Sequence, residues 1–230
     1  MASLMDYLSG KEFSNGLQIS FPDQPYTTRL EFLEKLCVSK RVLHIGFADH
    51  KDVINEKIKN NLWLHKRLLD VSQSCYGIDI NCDSVEYVRK ELGISNVYCL
   101  DIITEELPTD LLEKNFDIAI LGEVIEHVNN PVLFLSKIKN KLSLICRSLV
   151  ITTPNALRLA NFEFALRGIE TINTDHRYWF TPYTLMKVAT EAGLVIQNLY
   201  FVNSYYNQKD FYLLSKIPIL REDLVLIAQI

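Results

Sequence analysis

At 230 residues, 48% hydrophobic and 23% charged, the chain is long enough for one well-buried domain and cramped for two. A formal charge of -4 and a pI near 5.8 leave no basic footprint and argue against nucleic acid as the partner. No apolar run approaches the roughly 18 to 20 residues of a membrane helix. The five cysteines, Cys37, Cys75, Cys82, Cys99 and Cys146, are scattered without a CxxC pair, and no signal peptide opens the chain. The expectation is a cytoplasmic protein with reduced thiols and no integral membrane segment.

Residues 1 to 26 read as irregular, punctuated by Gly10, Gly16, Pro22 and Pro25. From Thr27 to Cys37, the spacing of Leu30, Phe32, Leu33 and Leu36 predicts a helix covering one edge of the fold. Strands are predicted at Arg41 to Ile45, Cys75 to Ile80, Asn96 to Leu100, Phe116 to Leu121 and Leu149 to Thr153. Helices separate several of them, at Leu62 to Val71, Asp83 to Leu92 and Pro131 to Leu144. This alternation indicates an α/β domain with a doubly wound, mostly parallel sheet, and Ile118 to Leu121 reads as a strand buried on both faces. After a helix from Pro182 to Ala192, stopped by Gly193, segments Leu194 to Val202 and Leu224 to Ile230 are expected to close the sheet as an antiparallel pair. The organisation is one domain over 1–230: a helical extension over 1–38, a core over 39–203 and a closing strand segment over 204–230.

Ligands of such a sheet sit beyond the carboxyl ends of its strands, so the residues there carry the chemistry. Gly46 follows the first strand, with Phe47, Ala48, Asp49 and His50 after it; it allows close backbone approach to a nucleotide-like ligand, although an ordinary turn explains a lone glycine equally well. Asp79, ending the second strand before Ile80, can accept hydrogen bonds from both hydroxyls of a ribose, leaving Asn81 or Asp83 to cap the next helix. Asp101, before Ile102, can accept from an adenine amino group or stand as a plain loop acid. After Gly122, a helical turn would place Glu123, Glu126 and His127 at i, i+3 and i+4 on one face. Two carboxylates and an imidazole converging there can act as a general base with its orienting partner or as ligands of a divalent ion. Thr152 to Asn155 reads as a turn with Asn155 capping a following helix. His176, just before the aromatic run Tyr178, Trp179 and Phe180, is a further candidate beside its reading as a structural histidine.

In this order, these residues resemble the class I S-adenosylmethionine-dependent methyltransferases over roughly residues 40 to 203. The resemblance implies a Rossmann-like fold and assigns the cofactor to Gly46, Phe47 and Ala48, to Asp79 and Ile80, to Asp101 and Ile102, and to Gly122. His44 stands where that family usually has an acid, and Ala48 and His50 where it has further glycines. The runs Glu123 to Val128, Thr153 to Asn155 and Asp175 to Thr181 look most like the branch that methylates small molecules and glycans, including enzymes of surface-polysaccharide synthesis. The implied reaction is O-methylation of a sugar or other small-molecule hydroxyl. By analogy with small-RNA 2'-O-methyltransferases, Glu123, Glu126, His127 and His176 form a candidate catalytic set and metal site for magnesium or manganese. The alternatives are a metal-dependent RNA 2'-O-methyltransferase and a cofactor-binding protein without catalysis.

Overall fold

The computed structural model describes residues 2–206 and 209–230. The elements run α1 (Leu4–Leu8), α2 (Arg29–Cys37), β1 (Arg41–Ile45), α3 (Lys51–Lys59), α4 (Leu64–Val71), β2 (Ser74–Asp79), α5 (Cys82–Glu91), β3 (Val97–Cys99) and α6 (Thr109–Leu112). They continue with β4 (Ile118–Gly122), α7 (Pro131–Leu142), β5 (Ser148–Pro154), α8 (Leu159–Ala165), α9 (Pro182–Glu191), β6 (Val195–Val202), α10 (Phe211–Lys216) and β7 (Asp223–Gln229). Helix α1 lies inside the stretch expected to be irregular. The Ser3 hydroxyl accepts the Asp6 amide and the Asp6 carboxylate accepts the Ser3 amide, a capping box that holds so short a helix. Among the described residues no helix is long and apolar enough to cross a membrane.

The seven strands form one sheet in the order β3-β2-β1-β4-β5-β7-β6. Strands β1 to β5 pair in parallel, and β7 runs antiparallel to both β5 and β6, so the expected Rossmann-like sheet with its antiparallel pair is what the chain forms. The winding reverses between β1 and β4, and that reversal opens a crevice at their carboxyl ends.

Alternation along β4 sends Ile118 and Ile120 to one face and Ala119 and Leu121 to the other, and all four are buried. The first face is covered by Leu33 and Cys37 of α2 and Leu68 of α4, the second by Leu135 and Ile138 of α7 and Leu185 of α9. Helix α2 thus caps a face of the sheet, not the expected edge, because Leu30, Leu33 and Cys37 line its buried side. Each such leucine contributes roughly 1.5 to 3 kcal/mol on burial.

The long connection from Gly46 to Asp79 holds two helices, and its Trp63 and His65 are buried. The His65 Nδ1 lies 3.3 Å from His44 Nδ1 and 3.8 Å from the Cys75 sulfur. Burial drives His65 down to about 3 and, with His65 as neighbour, holds His44 well below the usual imidazole range. Both rings are therefore neutral in the fold and gain a proton on unfolding below about pH 6.5. Their contribution is intact above that pH and is lost as pH falls toward the folded values. At pH 5, His65 alone should cost roughly 2 kcal/mol relative to pH 7. The melting temperature is expected to fall between pH 7 and pH 5 less steeply in H65L than in wild type; equal slopes would remove His65 as the cause.

Candidate active site

Gly46 leaves β1 with φ +75°, and a Cβ there would sit 2.3 Å from Val124 Cγ2. Only glycine meets both demands, so the first loop closes tightly against the chain leaving β4. The Ala48 amide donates to Asp79 Oδ2 and the Asn81 amide to Asp79 Oδ1, both at 2.9 Å. Asp79 therefore ties the first loop to the end of β2, while Asn81 caps α5 by accepting the Ser84 amide, as the spacing predicts. Burial raises the Asp79 carboxyl, opposed by those amides.

Gly46, Ala48, Asp79, Ile80, Asp101 and Ile102 line one cavity of about 350 Å³ at the crevice, together with Glu123 and His127. Ile80 is 75% exposed there, an apolar side chain available to a flat ring. The Asp101 carboxylate accepts from the Thr104 hydroxyl and the Ile103 amide, and the Thr104 bond first holds it below its usual range. The remaining cofactor candidates lie outside the cavity lining. Phe47 is buried, its ring filling the space that Gly77 leaves by lacking a side chain, and Gly122 sits between His44 and Thr152. At the rim of the cleft, Cys82 and Cys99 are joined in a disulfide, correcting the expectation of five reduced thiols. The β2–β3 register opposes Asp79 to Cys99 and so delivers both sulfurs to one place; Cys37, Cys75 and Cys146 are free and buried.

No helix begins at Glu123. It adopts φ +56°, and the three residues Ile125–His127 that follow form only a 3₁₀ turn, so the expected common helical face does not exist. The Glu123 amide donates to the Thr152 carbonyl, which pulls the residue out of helical geometry. Its carboxylate accepts the Thr152 hydroxyl at 2.9 Å and faces Arg29 at 3.3 Å. Arg29 also stands 3.6 Å from Asp223. No sequence signal pointed to Arg29 or Asp223 here; Thr152 and Thr153 lie in β5 as the strand expectation has them, and the strand runs on through Pro154 where a turn was expected.

The turn nevertheless brings Glu126, His127 and His176 together, with one potential ligand atom from each within 4.8 Å of the others. Glu126 is fully buried; its Oε2 accepts the Thr153 hydroxyl at 3.0 Å, and its Oε1 has no hydrogen-bond partner and lies 4.0 Å from His127 Nε2. Burial, reinforced by Glu123, pushes this carboxyl up to about 8. His127 Nδ1 lies 3.1 Å from the Asp175 carbonyl, which can only accept, so the proton is on Nδ1 and the lone pair is on Nε2. The His127 and His176 rings meet edge to face at 4.7 Å, and His176 Nδ1 is buried without a partner. Burial, then the nearby His127, lowers His176. A carboxylate and two imidazoles gathered in this way, with Glu126 Oε1 and His176 Nδ1 lacking hydrogen-bond partners, are donor types a divalent cation takes. Glu123 is not within that group.

The segment around Arg177 and Tyr178 packs over the 3₁₀ turn. The Arg177 amide donates to the Glu126 carbonyl at 2.8 Å, and the Tyr178 hydroxyl to the Asn129 carbonyl at 2.8 Å, pinning this segment over the 3₁₀ turn. Asn155 does not cap α8. It is fully buried, and its amide group donates to the carbonyls of Ile219 and Arg221, anchoring the connection between β6 and β7.

Residues 61–143 match a family described as Methyltransferase domain. Among solved structures, the chain is similar to a SAM-dependent methyltransferase from Aquifex aeolicus, at 16% identity and TM-score 0.54, covering 88% of this chain and 90% of that one. It is similar to the small RNA methyltransferase HEN1 at 16% identity and TM-score 0.61, over 94% of this chain and 27% of that one. It also resembles magnesium protoporphyrin IX methyltransferase from Synechocystis PCC 6803, bound to SAH, at 14% identity and TM-score 0.54, over 87% and 81% of the two chains. At such identities the likeness shows the fold. No curated protein sequence matches the chain. The methyltransferase-domain match, on this fold, supports an S-adenosylmethionine-dependent methyltransferase.

Proposed function

We propose that this S-adenosylmethionine-dependent methyltransferase acts on a hydroxyl oxygen of a sugar or glycan, with the proton handled by Glu126, His127 and His176. The observation that carries the reading is that His127 lines the cavity that Asp79 and Asp101 line and joins it to a polar cluster in which Glu126 Oε1 and His176 Nδ1 lack hydrogen-bond partners. When bound in that cavity, S-adenosylmethionine supplies a methyl group already activated by its sulfonium. On this reading Asp79 receives the ribose, Ile80 the adenine face, and the Gly46 turn the methionine portion. The protein's remaining work is to orient the acceptor, exclude water and take its proton. His127 Nε2 is the acceptor of that proton, with the Asp175 carbonyl holding the ring in the required tautomer.

Glu126, His127 and His176 fit a divalent cation such as magnesium or manganese, which would lower the pKa of a hydroxyl placed against it. Transfer from labelled S-adenosylmethionine to candidate sugar nucleotides and glycans, with and without chelator, tests the proposal. Transfer abolished by chelator and restored by magnesium or manganese assigns the cluster as ligands. Transfer indifferent to chelator assigns His127 as the base, and no transfer to any saccharide would sink the sugar reading. The metal-like cluster also suits the 2'-hydroxyl of RNA. RNA binding through phosphates would weaken steeply with salt, whereas a neutral saccharide would barely respond.

A further inference from the structure

Withdrawing an arginine from water without an acid beside it is costly, and the other shielded arginines of the chain are matched. Arg29 faces Glu123 and Asp223, Arg41 faces Asp117, and Arg67 faces Glu34, while buried Arg221 donates to four backbone carbonyls. Arg158 differs. It is half-buried, yet no described carboxylate oxygen lies within 4.0 Å of it. Among the described residues its one side-chain hydrogen bond is from Nε to Asn161 Oδ1, at 2.9 Å. Its guanidinium lies over the Trp179 ring, 5.0 Å from the centroid, so stacking and the Asn161 bond together fix its plane. Trp179 stands edge-on to His176, with 6.2 Å between ring centroids. The two terminal nitrogens are thus left uncommitted one aromatic ring away from the Glu126, His127 and His176 cluster. Asn161 and Trp179 also line a cavity of about 300 Å³, whose single acid, Glu170, is exposed.

We propose that Arg158 is an anion subsite beside the Glu126, His127 and His176 cluster, its terminal nitrogens taking two oxygens of a phosphate or carboxylate that the acceptor carries near the methylated hydroxyl. This rests on the acceptor-side reading given above and narrows it to charged saccharides, such as a sugar phosphate or a uronate. A planar fork matches both oxyanions, and the stack on Trp179 removes much of the rotamer freedom that binding would otherwise cost.

Calorimetry on the protein saturated with S-adenosylhomocysteine tests this, with D-glucose 1-phosphate, D-glucuronate and D-glucose as probes. At least one charged probe is expected to bind about tenfold or more tighter than glucose, the size of a charge-assisted contact. R158Q should erase that preference while leaving affinity for S-adenosylhomocysteine within about twofold, and R158K, which keeps the charge without the fork, should fall between. A preference for the phosphate alone names a phosphoryl acceptor, and one for glucuronate alone names a carboxylate. Equal binding of charged and neutral sugars, binding of none, or a preference that survives in R158Q overturns the assignment. Failure of S-adenosylhomocysteine itself to bind would instead strike the methyltransferase reading beneath it.

Discussion

Replacing His127 by alanine is expected to lower kcat roughly 10²- to 10⁴-fold, the usual worth of a positioned proton acceptor, with affinity for S-adenosylmethionine changed by less than about threefold. The separation follows from geometry. His127 borders the cavity proposed for the cofactor, but its ring is turned toward Glu126 and His176, with Nδ1 on the Asp175 carbonyl. Alanine removes the free Nε2 and leaves the Gly46 turn and Asp79 untouched. The same loss is expected whether Nε2 takes the proton itself or holds a cation that does the acidifying, so the variant tests the cluster, and the chelator distinguishes the two roles. Single-turnover measurement with bound cofactor is the suitable readout, since it isolates the transfer step. A variant that turns over like wild type would remove His127 from the reaction.

Replacing Asp79 by alanine should weaken S-adenosylmethionine by roughly tenfold to hundredfold, since hydrogen bonds to charged groups are worth about 1.5 to 3 kcal/mol each. Two effects add here. In the proposed site the carboxylate receives the ribose hydroxyls, and it also accepts the Ala48 and Asn81 amides, which fix the first loop. D79N keeps one carbonyl oxygen for one of those amides and should retain more of the loop while losing the charge. Its affinity is expected to lie between wild type and D79A. If both variants bound the cofactor like wild type, with unchanged melting temperatures, Asp79 would have no part in the site.

The sheet was legible because its signals are local. The unbroken apolar run Ile118 to Leu121 announces a strand covered on both faces, and strand-helix alternation leaves few windings other than a parallel doubly wound sheet. The convergence of Gly46, Asp79 and Asp101 was legible for the same reason: each follows a strand, and the topology carries them to one cleft. The polar cluster beyond β4 was less so. Spacing suggested a helical face for Glu123, Glu126 and His127, but a hydrogen bond from a neighbouring strand holds Glu123 at positive φ, which no periodicity reveals. Arg29 and Asp223 meet Glu123 only because the helix leading into β1 and the final strand converge on it, contacts far apart in sequence. Phe47 looked like part of the loop, yet the missing side chain of Gly77 admits its ring to the core. The Cys82–Cys99 disulfide likewise depends on the pairing of β2 with β3, which spacing alone does not give.

The most direct test of the account is calorimetry of the wild-type protein with S-adenosylmethionine, carried to high ligand concentration. Binding of one molecule per chain, weakened by D79A, is the predicted result. No binding by a folded protein would contradict it, whatever its fold resembles.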